Sequence, residues 1–165
     1  MVLYLKQRPF SWRHRYTAKN KDGKALYIVE RVPFSMGKQR LIYNAKGTLV
    51  ARIKQKVQLS WMPGFIIEVN GKDICEITQE KFGSGWNRVV KLDISGIPYS
   101  WEGVAGDIGY EFKYGESVIM SFWDITCWSW FGDHYELNIT NSRHRLLCLC
   151  IALVYDATKF RANFS

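Results

Sequence analysis

The sequence predicts a mostly β protein, a closed antiparallel barrel of about twelve strands around one buried C-terminal hydrophobic helix. Three observations carry this. A turn signal recurs about every 24 residues, centred near Gly23, Gly47, Gly71, Gly96, Gly115 and Asn141. Segments between the turns alternate apolar and polar residues, the period of a strand with one buried face. The last stretch, Leu146–Tyr155, is apolar at all ten positions. A repeated hairpin is a stronger guide to architecture than any single residue. A barrel also removes the edges that twelve strands would otherwise expose.

In the first unit, Leu3, Leu5 and Gln7 alternate with Tyr4, Lys6 and Arg8, and the chain bends at Arg8-Pro9-Phe10-Ser11. Tyr16-Thr17-Ala18-Lys19 leads into Asn20-Lys21-Asp22-Gly23, residue types that tolerate positive φ. Ala25-Leu26-Tyr27-Ile28-Val29 returns. In the second unit Leu41-Ile42-Tyr43 enters the turn Asn44-Ala45-Lys46-Gly47, and Leu49–Lys56 leaves it. There Ala51, Ile53, Gln55 and Val57 point one way, and Arg52, Lys54 and Lys56 the other. In the third, Phe65-Ile66-Ile67-Glu68-Val69 runs into Asn70-Gly71, the strongest short hairpin signal.

The later units are less regular. Asn87–Ile94 turns at Ser95-Gly96, and Tyr99-Ser100-Trp101-Glu102 returns. Gly109–Tyr114 turns at Gly115, and Val118–Phe122 returns. Tyr135–Ile139 reaches the last turn at Thr140-Asn141-Ser142. A second mark recurs between turns: Phe10-Ser11-Trp12, Phe34-Ser35-Met36, Leu59-Ser60-Trp61 and Trp128-Ser129-Trp130. Gln7, Gln55 and Gln79 share a strand face with the apolar residue two places before. They read as rim residues that satisfy backbone groups.

From Leu146 the alternation stops. A helix apolar on every side must be buried on every side, here inside the barrel. A final buried strand is the alternative. A bilayer span needs about 20 such residues, and Asp156, Lys159 and Arg161 end the run too early.

At 165 residues, residues 1–165 read as a single domain able to bury a core. A hydrophobic fraction of 47% and an aromatic fraction of 15% argue against disorder and for strands. Cys75, Cys127, Cys148 and Cys150 lack zinc-site spacing and read as reduced buried thiols of a cytoplasmic protein. Met1–Lys6 has no signal-peptide core. Without one, the glycosylation patterns at Asn138 and Asn163 read as chance matches.

The net charge is +8, unevenly placed. Residues 1–56 hold 14 Lys/Arg against 2 Asp/Glu, whereas residues 57–165 hold 9 against 13. Such asymmetry fits an anionic partner on one face. It fits equally a solvated basic edge that keeps strands from aggregating.

Catalytic constellations are not evident. His14, His134 and His144 show no metal-binding spacing. Asp133-His134 has no specified nucleophile for a triad. Phe82-Gly83-Ser84-Gly85-Trp86 lacks the helix and Lys-Ser/Thr of a phosphate loop. Asp156, closing an apolar helix, is expected to find hydrogen-bond donors at the barrel mouth, because a buried carboxylate must be paired.

The combination resembles the LURP-one-related family, within the tubby C-terminal-like superfamily that includes the phospholipid scramblases. The match runs over about residues 3 to 160. It rests on Leu5-Lys6-Gln7 with Phe10-Ser11, Phe34-Ser35-Met36-Gly37-Lys38 and Ile53-Lys54-Gln55-Lys56. It continues through Trp128-Ser129-Trp130, Tyr135-Glu136-Leu137 and the apolar segment ending Tyr155-Asp156-Ala157. The resemblance implies a tubby-like barrel around a central helix. It also implies phosphoinositide or other anionic phospholipid headgroups as ligands on a basic wall; with no catalytic, cofactor or metal motif in the residues, the expectation is a non-catalytic module. The lipid-attachment and membrane-spanning segments of scramblases are not found, so scrambling itself is not expected.

Lys6 and Arg8 share one side of a strand, as do Arg52, Lys54 and Lys56. The repeat equates Lys6 with Lys54 and Arg8 with Lys56, which would place both sets on one wall. With Arg13 and Arg15 from the first loop, these are the candidate anion-binding residues. Lipid binding by these residues would place a cytoplasmic protein at the periphery of the membrane. Two other readings use the same features: a nucleic-acid-binding protein, with surface aromatics stacking on bases, or a partner-binding scaffold without a small ligand.

Overall fold

The structure, a computed structural model, describes residues 1–7, 16–34, 37–56, 64–80, 91–103, 109–125 and 134–162. The strands are β1 (Val2–Gln7), β2 (Tyr16–Asn20), β3 (Ala25–Arg31), β4 (Gln39–Asn44), β5 (Leu49–Gln55) and β6 (Gly64–Val69). They continue as β7 (Lys72–Glu80), β8 (Lys91–Ser95), β9 (Ser100–Gly103), β10 (Gly109–Tyr114), β11 (Ser117–Asp124) and β12 (His134–Ile139). A short 3-10 turn, Ser142–His144, leads into the helix α1 (Arg145–Ala162).

The twelve strands form one sheet in the order β8-β7-β6-β5-β4-β3-β2-β1-β12-β11-β10-β9. β1 pairs antiparallel with both β2 and β12, which brings the two ends of the chain's strand series together. The expected barrel is present, with one difference: it is nearly closed. Its seam lies between β8 and β9, which follow each other in the chain but share no ladder. The Ser95–Tyr99 connection explains this. Gly96 has φ +91 and packs against β7, where a Cβ would meet the Ile74 carbonyl oxygen at 3.1 Å. Pro98 has no N–H to donate across a hairpin.

Alternation builds the wall. In β1, Leu3 and Leu5 are buried while Tyr4 and Lys6 are exposed. In β5, Ala51 and Ile53 are buried and Arg52 and Lys54 lie on the outer face. The 24-residue beat is reproduced atom by atom in the first two turns. Asn20 Oδ1 accepts from the amides of Asp22 and Lys24. Asn44 Oδ1 accepts from the amides of Lys46 and Thr48. The strand entering each turn carries the same register shift, between Ala18 and Lys19 and between Ile42 and Tyr43. At the third turn Asn70 and Gly71 both take positive φ, 50° and 79°, as a tight primed turn requires. The last turn signal, Asn141, opens no hairpin. Its side chain accepts from the Arg143 amide and begins the 3-10 turn ahead of the helix.

The final apolar run is a helix, not a strand. Every residue from Cys148 to Thr158 is buried, because the barrel surrounds it. At 18 residues α1 is about 27 Å long. Its N-terminal end sits at the turn end of the barrel. There the Arg145 guanidinium donates to Tyr27 Oη at 2.9 Å, and His144 Nδ1 lies 3.3 Å from Tyr99 Oη. No helix of the described residues is long and apolar enough to cross a membrane.

Candidate functional site

The outer wall holds the described candidate residues. On β5, Lys54 Nζ lies 2.5 Å from Glu68 Oε2 of β6. Just past β5, Lys56 Nζ lies 2.5 Å from Glu76 Oε2 of β7. The Lys54 hydrogen bond holds the Glu68 carboxyl below the usual carboxylate range. Arg52 is paired in register with Glu68, and its Nε is buried without a hydrogen-bond partner. The cations of β5 thus face carboxylates on their own wall.

Lys6 lies elsewhere. It is exposed on β1, opposite Thr17 of β2 and His134 of β12. Three strands separate β1 from β5, about 19 Å around the wall at the usual strand spacing. On β3 the repeat-equivalent position is Glu30, an acid between the two basic sets. The structure therefore brings Arg52, Lys54 and Lys56 together but does not bring Lys6 beside them. Arg8, Arg13 and Arg15 lie outside the described residues, as do His14, Asp133 and the Phe82–Trp86 segment.

The mouth opposite the turns holds a polar cluster that the charge pattern did not reveal. Asp156, fully buried on α1, accepts from Tyr16 Oη of β2 at 2.9 Å and from Tyr135 Oη of β12 at 2.6 Å. Arg40 Nη2 of β4 reaches its Oδ2 at 2.5 Å, and Arg40 Nη1 donates to the Leu153 carbonyl at 2.8 Å. Beside them Lys38 Nζ donates to the Ala157 carbonyl at 2.9 Å. Burial opposes charge on Arg40, but the Asp156 carboxylate outweighs it and holds the guanidinium above its ordinary value. The donors expected for Asp156 are thus present. Their identity was discoverable in the beat: Tyr16 and Arg40 stand 24 residues apart, at equivalent inward positions of β2 and β4.

One of the rim glutamines acts as expected, since Gln55 Oε1 accepts from the Lys38 amide at 3.0 Å. Cys75, Cys148 and Cys150 are free and buried. Burial pushes the Cys75 thiol up to about 11 and that of Cys148 up to about 12. No group of three metal-ligating side chains occurs among the described residues.

The fold and sequence have relatives. The family model described as LURP-one-related matches residues 1–156. The uncharacterized protein YxjI of Bacillus subtilis (strain 168) is 31% identical over 157 residues, covering 93% of this chain and 91% of that protein. The X-ray structure of a protein from Arabidopsis thaliana superposes with a TM-score of 0.52 at 11% identity, over 92% of this chain and 91% of that one. At that identity the superposition shows a shared fold alone. A family match over nearly the whole length, on a twelve-stranded barrel with a central helix, leads to one conclusion: the chain belongs to the LURP-one-related family.

Proposed function

We propose that this protein is a non-catalytic module that binds anionic phospholipid headgroups at the surface of a membrane, from the cytoplasmic side. The observation that carries the reading is the one-sided charge. The first 56 residues, which form β1 to β5 and their connections, hold 14 of the 23 Lys/Arg and 2 of the 15 Asp/Glu. These five strands are contiguous in the sheet, so the described cations that they carry share one arc of the barrel. Each Lys or Arg near an anionic bilayer contributes on the order of 1 kcal/mol, and several together give reversible peripheral binding. On the wall, Lys54 and Lys56 contribute weakly because carboxylates hold them, and exposed Lys6 contributes more.

Support for a non-catalytic role comes from the buried carboxylate. Asp156 accepts two tyrosine hydroxyls and an arginine, a structural arrangement that locks the helix in place. Vesicle flotation tests the ligand. Binding to phosphatidylserine or phosphoinositide vesicles is expected at low salt, weakening as salt rises. Equal failure with neutral and anionic vesicles at low salt would remove the phospholipid reading. Tighter binding to single-stranded RNA than to anionic vesicles would favour the nucleic-acid alternative.

A further inference from the structure

The turn end of the barrel gathers a second set of cations. Lys21 and Lys24 lie in the β2–β3 turn, Lys46 in the β4–β5 turn and Lys72 at the β6–β7 turn; all are exposed. The 24-residue period that builds these hairpins thus brings lysine to three successive turns. Adjacent turns are two strands apart in the sheet, about 10 Å at the usual spacing. That is about one Debye length in physiological salt, so their potentials overlap. Exposed Arg143 enters the same end, in the short turn that leads into the central helix. None of these five cations has an ion-pair partner among the described residues. The acids here are Asp22 and Asp73 beside the lysines, and Glu116 in the β10–β11 turn.

Apolar side chains are exposed at the same end. Met1 precedes β1, Leu49 follows the second turn and Tyr114 precedes the β10–β11 turn; they are 40%, 38% and 53% exposed. Lysines interleaved with exposed apolar side chains fit a bilayer interface, where the cations meet headgroups and the apolar groups enter the acyl boundary. Nucleic acid is a poorer fit, since only Tyr114 among the three could stack on a base.

From this placement we infer that the turn end, rather than the basic wall, is the surface that docks on an anionic bilayer, with the barrel axis steeply inclined to the membrane. The inference rests on the phospholipid reading and adds the face and orientation. It is tested with the full chain and phosphatidylcholine vesicles with or without phosphatidylserine. The triple variant Lys21→Glu, Lys46→Glu, Arg143→Glu is compared with the wall variant Lys6→Glu, Arg52→Glu, both checked for native thermal melting. The triple variant is expected to lose on the order of a hundredfold or more in partitioning, the wall variant far less. Leu49→Ser should weaken binding without changing its salt dependence.

If the triple variant binds like the wild type while the wall variant fails, the wall is the docking face and the inference falls, with the phospholipid reading intact. If the wild type binds no anionic vesicle, the phospholipid reading falls and takes the inference with it. Binding to single-stranded RNA, lost in the triple variant while vesicles are ignored, would reassign this end to nucleic acid and overturn the inference.

Discussion

Asp156 Oδ2 stands 2.5 Å from Arg40 Nη2, joining the central helix to β4 at the mouth of the barrel. Tyr16 and Tyr135 complete the carboxylate's bonds from β2 and β12. One helical residue therefore ties down three separate strands. Asp156→Ala removes the carboxylate that the Arg40 guanidinium and the Tyr16 and Tyr135 hydroxyls share, and should cost about 3–5 kcal/mol. The double variant Asp156→Leu, Arg40→Met removes both charges and should be less destabilised than the single change. Urea unfolding measures both; a loss below about 1 kcal/mol for Asp156→Ala would mean the pair is not structural.

The two matching turns should respond alike. Gly23 and Gly47 have φ near +77° and +80°, and a Cβ on either meets nothing within 4 Å. Replacing each by Ala should then cost only backbone strain, about 1–2 kcal/mol. Thermal melts of Gly23→Ala and Gly47→Ala should shift by similar amounts, and a strongly unequal pair would show that the turns are not equivalent.

Burial raises the Cys75 and Cys148 thiols to about 11 and 12. Both stay protonated in the folded protein at pH 8, whereas an unfolded thiol ionises near pH 8.5. Alkylation by iodoacetamide at pH 8 should therefore be slow when native and fast in urea, read by mass in a Cys127→Ser background. For the same reason their contribution to stability is full below about pH 8.5 and falls as pH rises towards the folded values. Rapid native labelling of Cys75 or Cys148 would contradict the burial.

Glu68 is held below its ordinary range by the Lys54 hydrogen bond. A depressed carboxyl contributes stability above its unfolded pKa, about 4.3, and loses it as pH falls through the folded value. The pair is near the surface, so the effect should be on the order of 0.5 kcal/mol. Lys54→Met should lower stability at pH 7 by this amount and leave it almost unchanged near pH 2. An equal loss at both pH values would point to lost packing of the lysine stem instead.

Much of the fold was legible because it is local. Alternation in Leu3–Gln7 and Leu49–Lys56, and the Asn-x-x-Gly and Asn-Gly turns, depend on neighbouring residues and backbone preference. The central helix was legible because ten apolar residues without alternation leave few other choices. The basic wall was less legible. Lys54 and Lys56 read as free charge because Glu68 and Glu76, their partners, lie 14 and 20 positions on and meet them only through the sheet. Arg40 was missed because it sits among other cations in sequence, while its partner lies 116 positions away.

By itself, the sequence determined the hairpin period, the strand faces, the number of strands and the buried helix. Each follows from periodicity and φ preference within a few residues. The tertiary structure alone decided that β1 closes against β12, that the seam falls between β8 and β9, and that Asp156 meets Arg40, Tyr16 and Tyr135. It also separated Lys6 from β5 and paired Lys54 with Glu68. These depend on sheet order and register, which place residues far apart in the chain within bonding distance. Local pattern carries no record of that distance.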